Sequence, residues 1–114
     1  KLGDSASQFF HRFAEYASGC ATGLTYFGLS PKGDILPCAP ATHVHLGNII
    51  KDGLKNIWLN HPAFKILRNR HQTDGNCGEC KDSPICGGCR VTAYGNTGSW
   101  LASDSSCPYP LLSK

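Results

Sequence analysis

The stretch Cys77-Gly78-Glu79-Cys80-Lys81-Asp82-Ser83-Pro84-Ile85-Cys86-Gly87-Gly88-Cys89 decides how this chain is to be read. It holds two C-x2-C turns separated by five residues. A C-x2-C turn aims two thiolates at one point, so two such turns this close bring four sulfurs within reach of one small volume. Three further cysteines, Cys20, Cys38 and Cys107, lie outside the run. Spacing alone lets Cys77, Cys80, Cys86 and Cys89 share a single metal.

Working outward, 114 residues with 13 glycines and 7 prolines leave room for one domain with a modest core and much turn. A domain so small and loop-rich needs staples, which cysteines supply as disulfides or as metal sites. Seven cysteines leave one thiol over from an all-disulfide framework. No secretory signal opens the sequence, and no apolar run approaches the ~20 residues that span a bilayer. A cytoplasmic, reducing setting is therefore expected, with no membrane partner, and there thiols bind metal more readily than they pair.

Upstream of the cysteine run, residues Ser5 to Ser18 have helical periodicity. Phe9, Phe10, Phe13, Ala14, Tyr16 and Ala17 share one face; Gln8, His11, Arg12 and Glu15 share the other. Ser5 with Gln8 fits a capping box, and Gly19 fits the position after the helix end, just before Cys20. That apolar stripe suits either core packing or docking onto another domain. Leu24 to Ser30 and Asp34 to Cys38 form a hairpin pattern around Ser30-Pro31-Lys32-Gly33-Asp34. Gly33 then lets the second strand return Cys38 towards Cys20. His43 and His45, at i and i+2, would share a strand face and are candidate ligands, although such histidines are more often structural. Two short helices follow. Asp52 is the expected cap of the first, with Leu54, Ile57 and Trp58 inward. Pro62 suits the first turn of the second, with Phe64 and Leu67 inward and Lys65, Arg68 and Arg70 on a solvated basic face. From Asp74 onward, loop is expected, its Gly75, Gly78, Gly87 and Gly88 leaving amides free to approach sulfur. One or two helical turns follow over Arg90 to Tyr94.

The whole pattern, Cys20-x12-Gly33-x4-Cys38, Cys77-x2-Cys80-x5-Cys86-x2-Cys89 and Cys107, resembles the SPASM domain of radical SAM maturases. Leu29-Ser30-Pro31-Lys32-Gly33-Asp34, Leu46-Gly47-Asn48-Ile49 and Leu54-Lys55-Asn56-Ile57-Trp58 look like that domain's hairpin and first helix. One departure stands out: the commonest form of the motif has x3 before its fourth cysteine, where this chain has Gly87-Gly88. The resemblance implies an α+β class, a small loop-rich domain with a β-hairpin and short helices wrapped around iron–sulfur clusters. It places residues 20–110 in that domain, residues 1–19 at the end of a barrel or linker, and residues 111–114 in a tail.

The resemblance further implies two auxiliary [4Fe–4S] clusters. Cys20, Cys38 and Cys89 would hold the first, with one iron open to Tyr26, His43, His45, substrate or solvent. Cys77, Cys80, Cys86 and Cys107 would hold the second. A four-iron core of about +2 on four thiolates amounts to about −2, and on three to about −1. Set against the formal +3, these leave a loaded chain about neutral, so the basic balance is no argument for nucleic acid.

No two cysteines stand four apart, so the C-x3-C-x2-C that binds the catalytic cluster of this superfamily is absent. S-adenosylmethionine and a third [4Fe–4S] cluster are then expected upstream, in a radical SAM barrel of the same full-length chain. The implied function is electron transfer and substrate positioning in an oxidoreductase, with flavodoxin or ferredoxin as electron donor. Its substrate would be a peptide or a tetrapyrrole. The ending Cys86-Gly87-Gly88-Cys89-Arg90, with Ala93, Gly98, Asp104 and Cys107-Pro108, resembles the haem-synthesis branch and also some peptide maturases. The rival from another class is a structural zinc module that mediates binding. Zinc ribbons separate their C-x2-C turns by about 15–20 residues rather than five, and two zinc sites would need a histidine to complete eight ligands. Thiol–disulfide exchange ranks last, because the βαβ surroundings of such motifs are missing.

Overall fold

The tight turn at Ser30-Pro31-Lys32-Gly33 organises the N-terminal half of the domain. In the computed structural model, which describes residues 5–9 and 19–108, the Gly33 amide donates to the Ser30 carbonyl at 3.0 Å. Ser30 Oγ accepts from the amides of Lys32 and Asp34 at 3.3 and 3.0 Å. Gly33 has φ +86°, a left-handed conformation that a β-carbon would penalise. The turn joins β1 (Gly28–Leu29) to β2 (Asp34–Leu36), antiparallel, with Gly28 opposite Leu36 and Leu29 opposite Ile35. The expected hairpin is therefore present but shorter. Residues 24–25 belong instead to a turn in which the amides of Leu24 and Thr25 donate to the Ala21 carbonyl. At its other end β2 stops before Pro37, which has no amide to offer a ladder. A third strand, β3 (Gly47–Asn48), pairs antiparallel with β2, and the sheet order is β1-β2-β3. Two residues leave no alternation to read, so this strand is invisible as a pattern.

Residues 5–9 are helical and are labelled α1. The rest of the expected first helix and the C-terminal tail lie outside the described residues. After β3, the side-chain cap falls on Asn48, ahead of the turn that leads into α2, and the cap expected of Asp52 on α2 itself is not made, Gly53 standing at that position. Asn48 Oδ1 accepts from the amides of Ile50 and Lys51 at 2.9 and 3.3 Å, while the Asp52 carboxylate accepts from the Asn48 amide at 2.8 Å. This reciprocal pair has the logic of a capping box. It starts a wide π-type turn, Ile49–Gly53, which passes into α2, Leu54–Asn60. α3, Pro62–Leu67, begins on His61, whose Nδ1 accepts from the Ala63 amide at 3.1 Å. Pro62 sits at the first helical positions, where a missing amide costs nothing.

The core forms where β2 meets α2 and α3. Ile35, Leu46, Ile57, Ala63, Phe64 and Leu67 are buried together. Trp58 packs its ring 5.0 Å from that of Phe64 and 5.9 Å from that of Phe27. Of the expected basic face, Lys65 is exposed, but Arg68 is not a solvated charge. Its Nε donates to the Gly23 carbonyl at 2.7 Å, its Nη2 donates to the Trp58 carbonyl, and its guanidinium lies 4.7 Å from the Trp58 ring centre. Arg68 thus fastens the loop after Cys20 to the core.

Beyond the core the expected loop is overturned by two short helices, α4 (Gly75–Glu79) and α5 (Ser83–Cys86), while the helical turns expected from Arg90 are present as α6 (Arg90–Thr97). The Cys77-x2-Cys80 spacing fits a single helical turn, closed by the bond from the Cys80 amide to the Cys77 carbonyl, and the bond from the Gly87 amide to the Ser83 carbonyl closes α5 ahead of Cys86-x2-Cys89. α6 runs past Tyr94 to Thr97, and Tyr94 stacks on Trp100 with ring centres 4.0 Å apart. Among the described residues no helix is long and apolar enough to cross a membrane.

Candidate metal centre

Helices α4 and α5 and the returning segment 104–108 surround an open concavity of about 790 Å³. Its walls carry Cys77, Cys80, Cys86 and Cys107. Cys89, Cys20 and Cys38 do not line it. Local folding explains how distant Cys107 arrives. The Asp74 amide donates to the Leu101 carbonyl at 2.7 Å, and Ser103 Oγ donates to the Asp74 carbonyl at 2.7 Å while accepting from the Cys77 amide at 3.1 Å. The Cys107 amide then donates to the Asp104 carbonyl at 3.2 Å, turning the last cysteine towards the same space.

Asp104 is the hub of this return. Its carboxylate accepts from the amide of Cys89 at 2.7 Å, from the amide of Ser106 at 2.9 Å and from the Ser106 hydroxyl. Burial works to raise its pKa, but those donors and the charge of Arg90 together hold it below the usual carboxylate range. The amide of Asp104 approaches Cys77 Sγ at 3.4 Å. Arg90 Nη2 reaches the same sulfur at 3.6 Å, and its Nη1 donates to the carbonyls of Trp100 and Ala102 at 2.9 and 2.7 Å. Cys77 is the buried cysteine of the set, whereas Cys86 and Cys89 are exposed.

The remaining candidates stand on other loops. The Cys20 amide donates to the Cys86 carbonyl at 2.9 Å, which ties the first cysteine to the end of α5. Cys38 Sγ is hydrogen-bonded to the hydroxyl of Tyr26. Burial and that bond, opposed by a bond with Thr22, raise the Tyr26 phenol above its ordinary pKa, so it stays protonated and can donate to sulfur. The histidines do not share a strand face, because residues 43–45 form no strand. His43 is exposed; His45 Nε2 pairs with the Thr42 carbonyl at 3.0 Å, and its Nδ1 lies 3.8 Å from Asp34. Of the three side chains considered for the open iron, Tyr26 is in contact with a candidate ligand.

Cys38, Cys77, Cys80, Cys86, Cys89 and Cys107 form no disulfide among the described residues. Nor do three Cys, His, Asp or Glu side chains there gather closely enough for one metal ion. A lone zinc ion needs sulfurs about 2.3 Å from one centre, hence about 3.8 Å from each other. In an iron–sulfur cluster each thiolate binds a different iron, so the sulfurs stand farther apart around a larger volume. Four cysteines spread around a broad concavity suit the second donor geometry better than the first.

Two features escaped the sequence. The expected free glycine amides are partly committed elsewhere, Gly78 to the Asp74 carbonyl and Gly87 to that of Ser83. Among the described residues a backbone amide that does approach a sulfur belongs to Asp104. Arg90 is the second: it is only 5% exposed, and the one hint was a cation placed directly after a cysteine.

Comparison with known proteins identifies the family. The iron–sulfur cluster-binding domain SPASM matches residues 20–90. The chain is similar to an AdoMet-dependent heme synthase of Methanosarcina barkeri, 33% identical over 87% of this chain and 28% of the relative. It is also similar to a PqqA peptide cyclase of a Methylobacterium species, 31% identical over 83% of this chain and 27% of the relative. A third relative is the mycofactocin maturase MftC of Mycobacterium ulcerans, 35% identical over 81% of this chain and 27% of that protein. The chain thus spans about a quarter of the length of the curated relatives it matches. With seven cysteines in the expected order and a match over most of its length, the chain belongs to the SPASM family of iron–sulfur cluster-binding domains.

Proposed function

We propose that this domain holds two auxiliary [4Fe–4S] clusters for a radical SAM oxidoreductase, and that it serves electron transfer and substrate positioning there. The observation that carries the reading is the concavity whose walls bring Cys77, Cys80, Cys86 and Cys107 together while leaving Cys89 outside. In this reading those four hold one cluster, and Cys20, Cys38 and Cys89 hold the other beside Tyr26. Bound clusters would supply single-electron transfer at a potential set by the protein between roughly −700 and +450 mV.

The chain's own residues do the rest. Ser103 and Asp104 fix where Cys77, Cys89 and Cys107 stand, and Asp104 and Arg90 bring donors to the Cys77 sulfur. Donors of this kind hold thiolate ligands in place and adjust their basicity. Exposed Cys86 and Cys89 leave the thiolate edge open to a partner surface. That partner, in this reading, is a radical SAM barrel of the full-length protein carrying S-adenosylmethionine and a third [4Fe–4S] cluster. Residues 1–19 would lead out of it and residues 20–110 would form the auxiliary domain. Flavodoxin or ferredoxin is the proposed donor. The substrate class is a tetrapyrrole or a peptide, and the tail around Asp104 and Cys107-Pro108 favours the tetrapyrrole.

Anaerobic reconstitution with iron and sulfide tests the reading. The domain is expected to take up about eight irons and eight sulfides and turn brown. A folded preparation that binds only zinc, without sulfide, would overturn it.

A further inference from the structure

Arg90 is a buried cation that makes no ion pair among the described residues. Its guanidinium spends Nη1 on two main-chain carbonyls, and its Nε has no hydrogen-bond partner among the described residues. The nearby carboxylate of Asp104 is committed to Cys89 and Ser106 and forms no ion pair with it among those residues. A charge held this far from water is costly unless an opposite charge compensates it. Among the described residues its remaining hydrogen-bond contact is Cys77 Sγ, 3.6 Å from Nη2. Gly88 makes that approach possible: a β-carbon there would stand 2.6 Å from Arg90 Nη2 and 3.3 Å from Cys77 Sγ.

We propose that Arg90 is a positioning residue for Cys77 whose positive charge and hydrogen bond raise the reduction potential of the cluster on that sulfur. This rests on the reading of Cys77 as a cluster ligand. A cation and a donor at sulfur stabilise the more negative, reduced state relative to the oxidised one. A structural role alone, holding the carbonyls of Trp100 and Ala102, would affect folding and leave the potential where it was.

The test is a redox titration of the anaerobically reconstituted protein, followed by electron paramagnetic resonance, with dithionite supplying the one electron taken up. In Arg90→Met the reduced-to-oxidised ratio of this cluster at fixed ambient potential should fall at least tenfold, equal to 59 mV for one electron. Arg90→Lys should keep part of the effect, since it retains the charge without the planar fork. Asp104→Asn should shift the ratio the other way, because it removes a nearby negative charge and leaves the Arg90 cation less opposed. A ratio within twofold of the parent in an Arg90→Met protein with full iron content overturns the proposal. Where Arg90→Met does not load, unmoved ratios in both Arg90→Lys and Asp104→Asn overturn it, and opposite shifts support it. Cys77→Ala separates the two levels. Full iron retention there overturns the ligand reading and this inference with it; iron loss there, with an unmoved Arg90→Met potential, overturns this inference alone.

Discussion

Replacing Arg68 by methionine asks whether the loop that follows Cys20 is held by the core or merely lies beside it. Methionine keeps the aliphatic stem and removes the guanidinium. Lost with it are the bond to the Gly23 carbonyl at 2.7 Å, the bond to the Trp58 carbonyl, and the stacking 4.7 Å from the Trp58 ring. A hydrogen bond from a charged group contributes about 1.5–3 kcal/mol and a partly exposed cation–π contact about 0.5–1 kcal/mol. Arg68 is half-buried, so the lower ends apply, and for two such bonds and one stacking contact the expected loss is about 3.5 kcal/mol. At a minimum of about 4 °C per kcal/mol for a domain near this size, the midpoint of thermal unfolding should fall by about 14 °C. Circular dichroism of the reconstituted protein measures it. Arg68→Lys should lose more than half as much, because one ammonium cannot reach two carbonyls in the same fixed fork. A methionine variant within about 0.5 kcal/mol of the parent, the usual range for surface substitutions, would refute this role for Arg68.

Phe64→Ala should cost about 3–5 kcal/mol, read from the denaturant midpoint, because the ring is fully buried at the centre of the core; a loss under about 1 kcal/mol would mean the core lies elsewhere. Tyr26→Phe removes the hydroxyl that contacts Cys38 Sγ, and should shift the resonance signal of one cluster and spare the other at unchanged iron content. Identical spectra would exclude Tyr26 from that site. Ser103→Ala breaks the link between the Cys77 amide and the Asp74 carbonyl. Iron release to a chelator should quicken several-fold, and an unchanged rate would show that Ser103 does not hold Cys77 in place.

Much of this architecture is legible in local chemistry. The turn at Ser30-Pro31-Lys32-Gly33 and the proline start of α3 follow from residues whose backbone preferences act within a few positions. The cysteine spacing points to metal for the same reason, since a C-x2-C turn is a local geometry. What stayed hidden is non-local. Nothing in Gly47-Asn48 announces that it pairs with β2, and Asp52 caps no helix because its carboxylate is taken by the Asn48 amide while Asn48 itself caps the turn ahead of α2. Arg68 reads as surface on a helical wheel, yet a carbonyl 45 positions away draws it inward. Asp104 and Arg90 gain their roles only once the segment after Trp100 folds back on α4. The glycine-rich cysteine run hid its helices because composition suggests loop while Cys77-x2-Cys80 closes one helical turn and Ser83–Cys86 forms another.

The division of the cysteines between two clusters is the claim on which the account stands, and Mössbauer spectra of single-cysteine variants test it most directly. Reconstituted with labelled iron, Cys80→Ala and Cys107→Ala should lose the same spectral component. Cys89→Ala should instead lose the component that disappears in Cys20→Ala. A Cys89→Ala spectrum matching that of Cys80→Ala would contradict the account, since Cys77, Cys80, Cys86 and Cys89 would then share one site.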